Sequence, residues 1–359
     1  MFSRIEEKVK QGERITPDEA LHLFESKEVH RIGRLASLVA ENLHHKRVFF
    51  VRNRHINPTN ICVNRCRFCA FSRSPQEDGA YELSPEEIIE KIETGGEELR
   101  EVHLVGGLHP EWGLEYYEDI LKGIKGRFPT IHIKGFTAVE VDYLSKKSGL
   151  TVKDTLQRLK DAGLDAMPGG GAEIFSAGVR SKLCPEKISG NRWLEIHRSA
   201  HLLGIPTNAT MLYGHLESYE DRVDHLLRLR ELQDETGGFQ AFIPLSYHPQ
   251  NTEIGGTGAS GIEDLKTIGI SRIFLDNIPH IKAYWIMLGE KLAQVSLLFG
   301  ADDLEGTVLE ERITHAAGAR SSEGLTPKEI IRLIRRAGRI PVERDSLYNQ
   351  VRYYGEVRT

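Results

Sequence analysis

A (β/α)8 barrel of TIM type with helical additions at both ends is the fold class the sequence predicts, and three observations predict it. Short apolar runs alternate with amphipathic stretches through most of the chain. Glycine-rich and cysteine-bearing segments fall directly after the apolar runs, where such barrels collect their chemistry. No internal repeat, and no linker rich in Pro, Gly or Ser, divides the 359 residues.

The elements follow in order. Residues 15–46 read as helical, from the start signal Thr16-Pro17-Asp18-Glu19 and from Leu21, Leu23, Phe24, Ile32, Leu35, Leu38 and Val39 at helical spacing. They make residues 1–46 an N-terminal helical cap. The barrel then occupies residues 47–305. Its strands are expected at Val48–Val51, Glu101–Val105, Thr130–Lys134, Asp165–Met167, Thr207–Leu212, Gln240–Leu245, Ile281–Tyr284 and Gln294–Phe299. Helical stretches lie between them near 84–94, 115–127, 151–162, 191–204, 218–236, 262–276 and 285–292. Helices after Val308 and Thr326 form a C-terminal extension, 306–359, packed on the barrel. The seventh and eighth strands have the weakest patterns, which leaves a six-stranded open barrel as the alternative.

Forty-seven basic residues against 52 acidic ones give a net charge of -5, without the basic field that nucleic acid requires. No apolar run approaches the ~20 residues that span a bilayer. The start, Met1-Phe2-Ser3-Arg4-Ile5-Glu6-Glu7, lacks the apolar core of a signal peptide. A cytoplasmic protein with neither nucleic acid nor membrane as partner is expected, and its four cysteines are then thiols rather than disulfides.

Three of those thiols are closely spaced: Cys62, Cys66 and Cys69, as Cys-x3-Cys-x2-Cys with Phe68 before the last. Such a loop can ligate three irons of a 4Fe-4S cubane and leave the fourth open. An open iron can chelate S-adenosylmethionine, whose cleavage by one electron starts radical chemistry. A structural zinc site is the rival reading, but it needs four ligands and a second short Cys/His pair. Only the distant Cys184 remains, most simply a core or surface thiol, with His55 as a conceivable fourth ligand.

Other segments sit where the barrel model wants them. The second strand ends in Gly106-Gly107-Leu108-His109-Pro110, where glycine lets backbone approach a ligand closely, or simply makes a tight turn. The fourth runs into Pro168-Gly169-Gly170-Gly171-Ala172-Glu173, and Glu173 is placed to accept from ribose hydroxyls. Arg180 and Lys187 follow. His55, His109, His215, His248 and His280 lie at strand ends or in their loops and are candidates for a pocket.

The cysteine motif is that of the radical S-adenosylmethionine (radical SAM) superfamily. The flanks His55-Ile56-Asn57-Pro58-Thr59-Asn60-Ile61 and Ala70-Phe71-Ser72-Arg73 resemble the branch that contains aminodeoxyfutalosine synthase, dehypoxanthine futalosine cyclase and the deazaflavin-forming enzymes. The resemblance to the synthases runs over residues 47–348. It is carried by Glu101–Pro110, Phe136-Thr137-Ala138-Val139-Glu140, Thr210–Glu217, Asp276–Trp285, Phe299–Thr307 and Glu343-Arg344-Asp345.

The resemblance implies roles for particular residues. Cys62, Cys66 and Cys69 hold the cluster, Gly106 and Gly107 the methionine amino group, Glu173 the ribose, and Lys187 the methionine carboxylate. Phe68, Met211 and Tyr213 lie about the adenine. It also implies a reaction in which S-adenosylmethionine is consumed as a cosubstrate. The 5′-deoxyadenosyl radical adds to 3-[(1-carboxyvinyl)oxy]benzoate, and aryl migration with loss of bicarbonate gives 6-amino-6-deoxyfutalosine, on the futalosine route to menaquinone. An external one-electron reductant such as flavodoxin or ferredoxin is required. The dianionic substrate needs cations or donors, for which the chain offers His55, His109, Arg180, His215, His248, His280 and Lys282. The cyclase of the same pathway and a non-catalytic iron-sulfur carrier or sensor are the alternatives.

Overall fold

The structure, a computed structural model, describes residues 1–96 and 98–355. Its strands are β1 (Arg47–Val51), β2 (Asn53–Ile56), β3 (Glu101–Leu104), β4 (His132–Gly135), β5 (Thr207–Tyr213), β6 (Phe239–Ser246), β7 (His280–Ile281), β8 (Asp303–Gly306), β9 (Ile340–Arg344) and β10 (Gln350–Tyr353). β1 and β2 are one extended segment interrupted at Arg52. The pairing runs β2–β3–β4, all parallel. It crosses to β5 by single bridges, Lys134 to Ala166 and Met167 to Thr207. It continues β5–β6–β7, reaches β8 through the Lys282–Asp303 bridge, and returns to β1.

Eight strand positions, the fourth reduced to those two bridges, therefore make a (β/α) barrel. The six-stranded alternative does not describe this ladder. Most helices on the outside begin on a side-chain cap: Ser84, Thr137, Thr151, Ser189, Ser218 and Ser260 each accept from the backbone N–H three residues on. Their apolar faces join the strands' outer faces in one continuous core.

Several expectations need correction. The apolar run Gln294–Phe299 is not the eighth strand; it overlaps the helix Glu290–Ser296. The strand is Asp303–Gly306, whose acids conceal it from a hydrophobicity reading because they face the barrel interior. Only His280–Ile281 of the seventh strand is extended. The cap is broken into Phe2–Lys10, Pro17–Glu25 and Val29–His44. The last of these packs tightly on Gly261–Phe274, where a Cβ at Gly269 would lie 3.0 Å from Ile32. Helices Ala138–Ser148 and Ala177–Leu183 add to those expected. The C-terminal extension is not purely helical either: β9 pairs parallel with β1, and β10 pairs antiparallel with β9. Its last four positions lie outside the described residues.

Strand alternation decides what fills the barrel. Asn53 and His55, Glu101 and His103, Lys134, Lys282, and Asp303 and Glu305 point inward, so the lower barrel is charged. It holds because each charge has a partner: Lys134 with Glu101 at 2.8 Å, Lys282 with Glu305 at 2.5 Å, and Arg344 with Asp303 at 2.7 Å. Asn53 Nδ2 also donates to Glu305 at 3.1 Å. Removing one partner strands the other in a low dielectric. Lys282→Met is expected to lower unfolding free energy by about 3–5 kcal/mol, read by urea denaturation, and adding Glu305→Gln should recover much of the loss. A single variant as stable as the parent would show the charge to be solvated.

Candidate active site

Above this charged floor, at the C-terminal ends of the strands, lies a cavity of about 320 Å³. Cys62, Cys66, Phe68 and Cys69 line it from the loop after β2, and Gly106 and Gly107 from the loop after β3. Gly169, Gly170, Gly171 and Glu173 line it from the fourth position, with Lys187 beyond.

Backbone contacts pin the cysteine loop. Val63 N–H donates to Leu108 O at 3.0 Å, Arg67 N–H to Leu183 O at 3.0 Å, and Cys69 N–H to Cys66 O at 2.9 Å. Glycine is required where this loop meets the next one: a Cβ on Gly107 would sit 2.1 Å from Ile61 O. Burial pushes the Cys66 thiol up to about 12, against the pull of the Lys187 ammonium. Burial likewise raises Cys62. Thiols that resist ionising alone suit a site whose metal supplies the compensating charge.

Among the described residues, the only three metal-binding side-chain atoms within 4.8 Å of one another belong to His44, His280 and Asp302. Sulfurs around one tetrahedral zinc would stand about 3.8 Å apart, from Zn–S bonds of about 2.3 Å. The cysteine trio is more open than that. Three thiols spread around one cavity fit a cluster that gives each its own iron.

Glu173 and Lys187 converge. Lys187 Nζ lies 2.6 Å from Glu173 Oε1 and 5.0 Å from the centre of the Phe68 ring. Burial opposes the Lys187 charge, but Cys66, Glu173 and Cys184 outweigh it and raise its pKa. Glu173 has φ of 45°, a left-handed conformation that costs a non-glycine residue about 1–3 kcal/mol. The glycine run before it turns the chain so that this carboxylate enters the cavity.

Of the other expected residues, His55 and His248 line the cavity. The remainder do not. The Arg180 guanidinium is buried against backbone, donating to the carbonyls of Gly171, Ala172, Ile174 and Ile188. His109 is buried against Glu82 at 2.7 Å and stacks on Trp112. His215 contacts Leu212 O and the Glu217 carboxylate. His280 lies at the opposite end of the barrel, 2.5 Å from Asp302. Lys282 belongs to the floor.

Met211 and Tyr213 miss by one residue of strand phase. On β5 the inward residues are Asn208, Thr210 and Leu212, so the side chains of Met211 and Tyr213 face the surrounding helices, and the Tyr213 hydroxyl donates to Asp264 at 2.7 Å. Cys184 is buried with Leu183 against Cys66.

Sequence reasoning missed His103, Lys134, Glu140, Glu305 and Glu311, all of which line the cavity. A signal existed for the first: in Glu101-Val102-His103-Leu104 the apolar residues alternate with polar ones beside a glycine pair. Glu140 was hidden because it closes a capping box on Thr137. Its carboxyl also accepts from Gly106 N–H at 3.2 Å, and burial raises it to about 7. A segment after β8 covers the mouth, where Glu311 accepts from Ile313 and Thr314 N–H and meets His315. Among the described residues no helix is long and apolar enough to cross a membrane.

Comparison with known proteins agrees with this geometry. Residues 56–229 match the Radical SAM superfamily model, and residues 236–356 match the CofH/MqnC C-terminal region. The aminodeoxyfutalosine synthase of Thermus thermophilus is 47% identical, over 98% of this chain and 96% of its own. The synthase of Streptomyces coelicolor is 42% identical over 98% of this chain and 94% of its own. The 5-amino-6-(D-ribitylamino)uracil--L-tyrosine 4-hydroxyphenyl transferase of Methanopyrus kandleri is 49% identical over 86% of this chain and 85% of its own. Among solved structures, methylornithine synthase (PylB) superposes with a TM-score of 0.74 at 22% identity, covering 94% of this chain and 97% of that one. The FeFe-hydrogenase maturase HydG from Carboxydothermus hydrogenoformans gives 0.76 at 18%, covering 96% and 80%. These two establish the fold.

If the cysteine trio holds the cluster, Cys66→Ser should abolish the cluster's visible absorption and lower bound iron after anaerobic reconstitution. Cys184→Ser, which alters a packing thiol outside the cavity lining, should keep both. Full iron content in the first variant would remove the trio from that role.

Proposed function

The chain belongs to the radical SAM family that holds the aminodeoxyfutalosine synthases and the related 4-hydroxyphenyl transferases, and we propose that within this family it is a synthase. It is a radical SAM transferase. The observation that carries the finer reading is end-to-end likeness. Over 98% of the chain the Thermus and Streptomyces synthases are 47% and 42% identical, and the transferases of Methanothermobacter thermautotrophicus and Methanococcoides burtonii, matched over 94% and 97%, are 42% and 41% identical.

The proposed substrates are S-adenosylmethionine and 3-[(1-carboxyvinyl)oxy]benzoate, and the products 6-amino-6-deoxyfutalosine, methionine and bicarbonate. When bound, a 4Fe-4S cluster on Cys62, Cys66 and Cys69 would supply the electron that cleaves S-adenosylmethionine, replenished by a flavodoxin- or ferredoxin-like reductant. The chain's own residues then do four things. The Glu173–Lys187 pair presents a carboxylate and an ammonium to the ribose and the methionine carboxylate. Glu140 orients the Gly106 backbone. Ile243, Leu245, Tyr247, Tyr284 and Met287 line an apolar wall suited to a benzoate ring. Ile313, Thr314 and Ala317 line the cavity, where they restrict the access of water to a reactive intermediate.

The Methanopyrus likeness, at 49% identity, sustains the second reading, in which a 4-hydroxyphenyl group is transferred from L-tyrosine to 5-amino-6-(D-ribitylamino)uracil. Anaerobic turnover with each substrate set separates them. The synthase reading expects one S-adenosylmethionine lost per adenosylated product, with little free 5′-deoxyadenosine. Product from tyrosine and the ribitylaminouracil, with the enolpyruvyl ether untouched, would transfer the assignment. Conversion of dehypoxanthine futalosine instead would identify a cyclase.

Glu173→Ala and Lys187→Ala are expected to retain the cluster and to bind S-adenosylmethionine more weakly by about 1.5–3 kcal/mol, the range for a lost charged hydrogen bond. Unchanged affinity in anaerobic titration would leave the two as a structural ion pair.

A further inference from the structure

The lysines lining the cavity are already committed. Lys134 is held by Glu101 at 2.8 Å and Lys187 by Glu173 at 2.6 Å, while Lys282 beneath is held by Glu305 at 2.5 Å. At the mouth, His315 answers Glu311 at 3.3 Å. A substrate bearing two carboxylates therefore finds no uncommitted lysine, yet a carboxylate buried without a cation is very costly.

Two imidazoles remain uncommitted. His55 on β2 and His103 on β3 are direct neighbours in the parallel register, with Lys134 next along on β4. His103 Nδ1 lies 3.3 Å from His55 Nε2, with the rings edge to face at 4.5 Å. Among the described residues neither ring forms an ion pair, and His103 Nε2 is buried with no hydrogen-bond partner. Both rings line the cavity. An unpaired buried nitrogen is costly, and a carboxylate oxygen of a ligand in the cavity would satisfy it.

We propose that one carboxylate of the substrate seats on His103 Nε2, and that the His55–His103 pair takes up one proton from solvent as it binds. The inference rests on the enolpyruvyl ether being the substrate. The proton balance is simple: a buffer acid loses one proton and the pair gains it. With His103 protonated at both nitrogens, its Nε2–H donates to the carboxylate and its Nδ1–H donates to His55 Nε2. His55 stays neutral, since two charged rings this close would repel.

The surroundings fit a pair poised to change charge. Glu101 and Lys134 from β3 and β4, Glu305 from β8 and Glu311 from the covering segment face it, Lys282 just after β7 pairs with Glu305, and Tyr284 stacks parallel to His55 at 6.3 Å. In the ligand-free chain burial holds both imidazoles below the ordinary histidine range; Glu305 and Glu101 pull them up, while Lys134 and, at His103, the neighbouring ring push them further down. An incoming carboxylate tips that balance upward. The folded, liganded pair is thus protonated at pH values where the free pair is neutral, so affinity falls as pH rises.

Calorimetric titration of the anaerobic, cluster-loaded protein with 3-[(1-carboxyvinyl)oxy]benzoate, without S-adenosylmethionine and in buffers of different ionisation enthalpy, tests this. The expected result near neutral pH is uptake approaching one proton per ligand, with Kd rising by up to about tenfold per pH unit. His103→Asn should abolish the uptake and flatten the pH dependence, and His55→Gln, which replaces the imidazole that accepts from His103 Nδ1–H, should diminish the uptake, both at unchanged iron content. Tight binding by the parent protein without proton uptake would overturn the proposal, as would uptake undiminished in both variants. Absence of binding to the parent, together with binding of L-tyrosine, would instead place the failure in the synthase reading on which the inference rests.

Discussion

A buried charge must be met by an opposite one, and the barrel interior is organised around that requirement. Parallel strands turn every second side chain inward, and here those positions carry Asn53, Glu101, Lys134, Lys282, Asp303 and Glu305. A barrel so lined stands only if its charges pair, which Glu101 with Lys134, Glu305 with Lys282 and Asp303 with Arg344 do. Arg344 comes from β9, outside the eight barrel positions. The C-terminal segment thus completes the neutralisation of the floor and packs against the barrel wall.

The same rule shapes the cavity above. With its lysines tied to carboxylates, the electrostatic freedom of the site passes to groups whose charge can change: the His55–His103 pair and Glu140, whose carboxyl is raised to about 7. Backbone geometry supplies the rest. Gly107 lies where no side chain fits, and Glu173 is held in a left-handed conformation after three consecutive glycines. The backbone around the cavity is therefore tightly constrained at these two positions.

Synthases and 4-hydroxyphenyl transferases resemble this chain at similar identity. That is physically reasonable, because in the reading proposed here the cysteine loop, the glycine turns and the Glu173–Lys187 pair serve the part of the chemistry that radical SAM enzymes share. In that reading, discrimination between a dianionic enolpyruvyl ether and an amino acid falls to the rest of the lining, the His55–His103 pair included. There Tyr247, His248, Tyr284 and Met287 meet the segment from Glu311 to Ala317.

The sequence by itself determined what short-range pattern can specify. Cys62, Cys66 and Cys69 stand within eight residues, and no other spacing in the chain offers three thiols to one cluster. Apolar periodicity located most of the outer helices, because amphipathicity is local. Tertiary structure alone decided which face of each strand looks inward. That phase turned Met211 and Tyr213 outward, brought His103 into the cavity, and made a strand of the acidic Asp303–Gly306. It also sent His280 to the far end and spent Arg180 on four carbonyls. A strand's phase is fixed by its neighbours across the ladder and by partners far along the chain, such as Asn53 for Glu305, 252 residues apart, and those interactions leave no mark within the strand's own few residues.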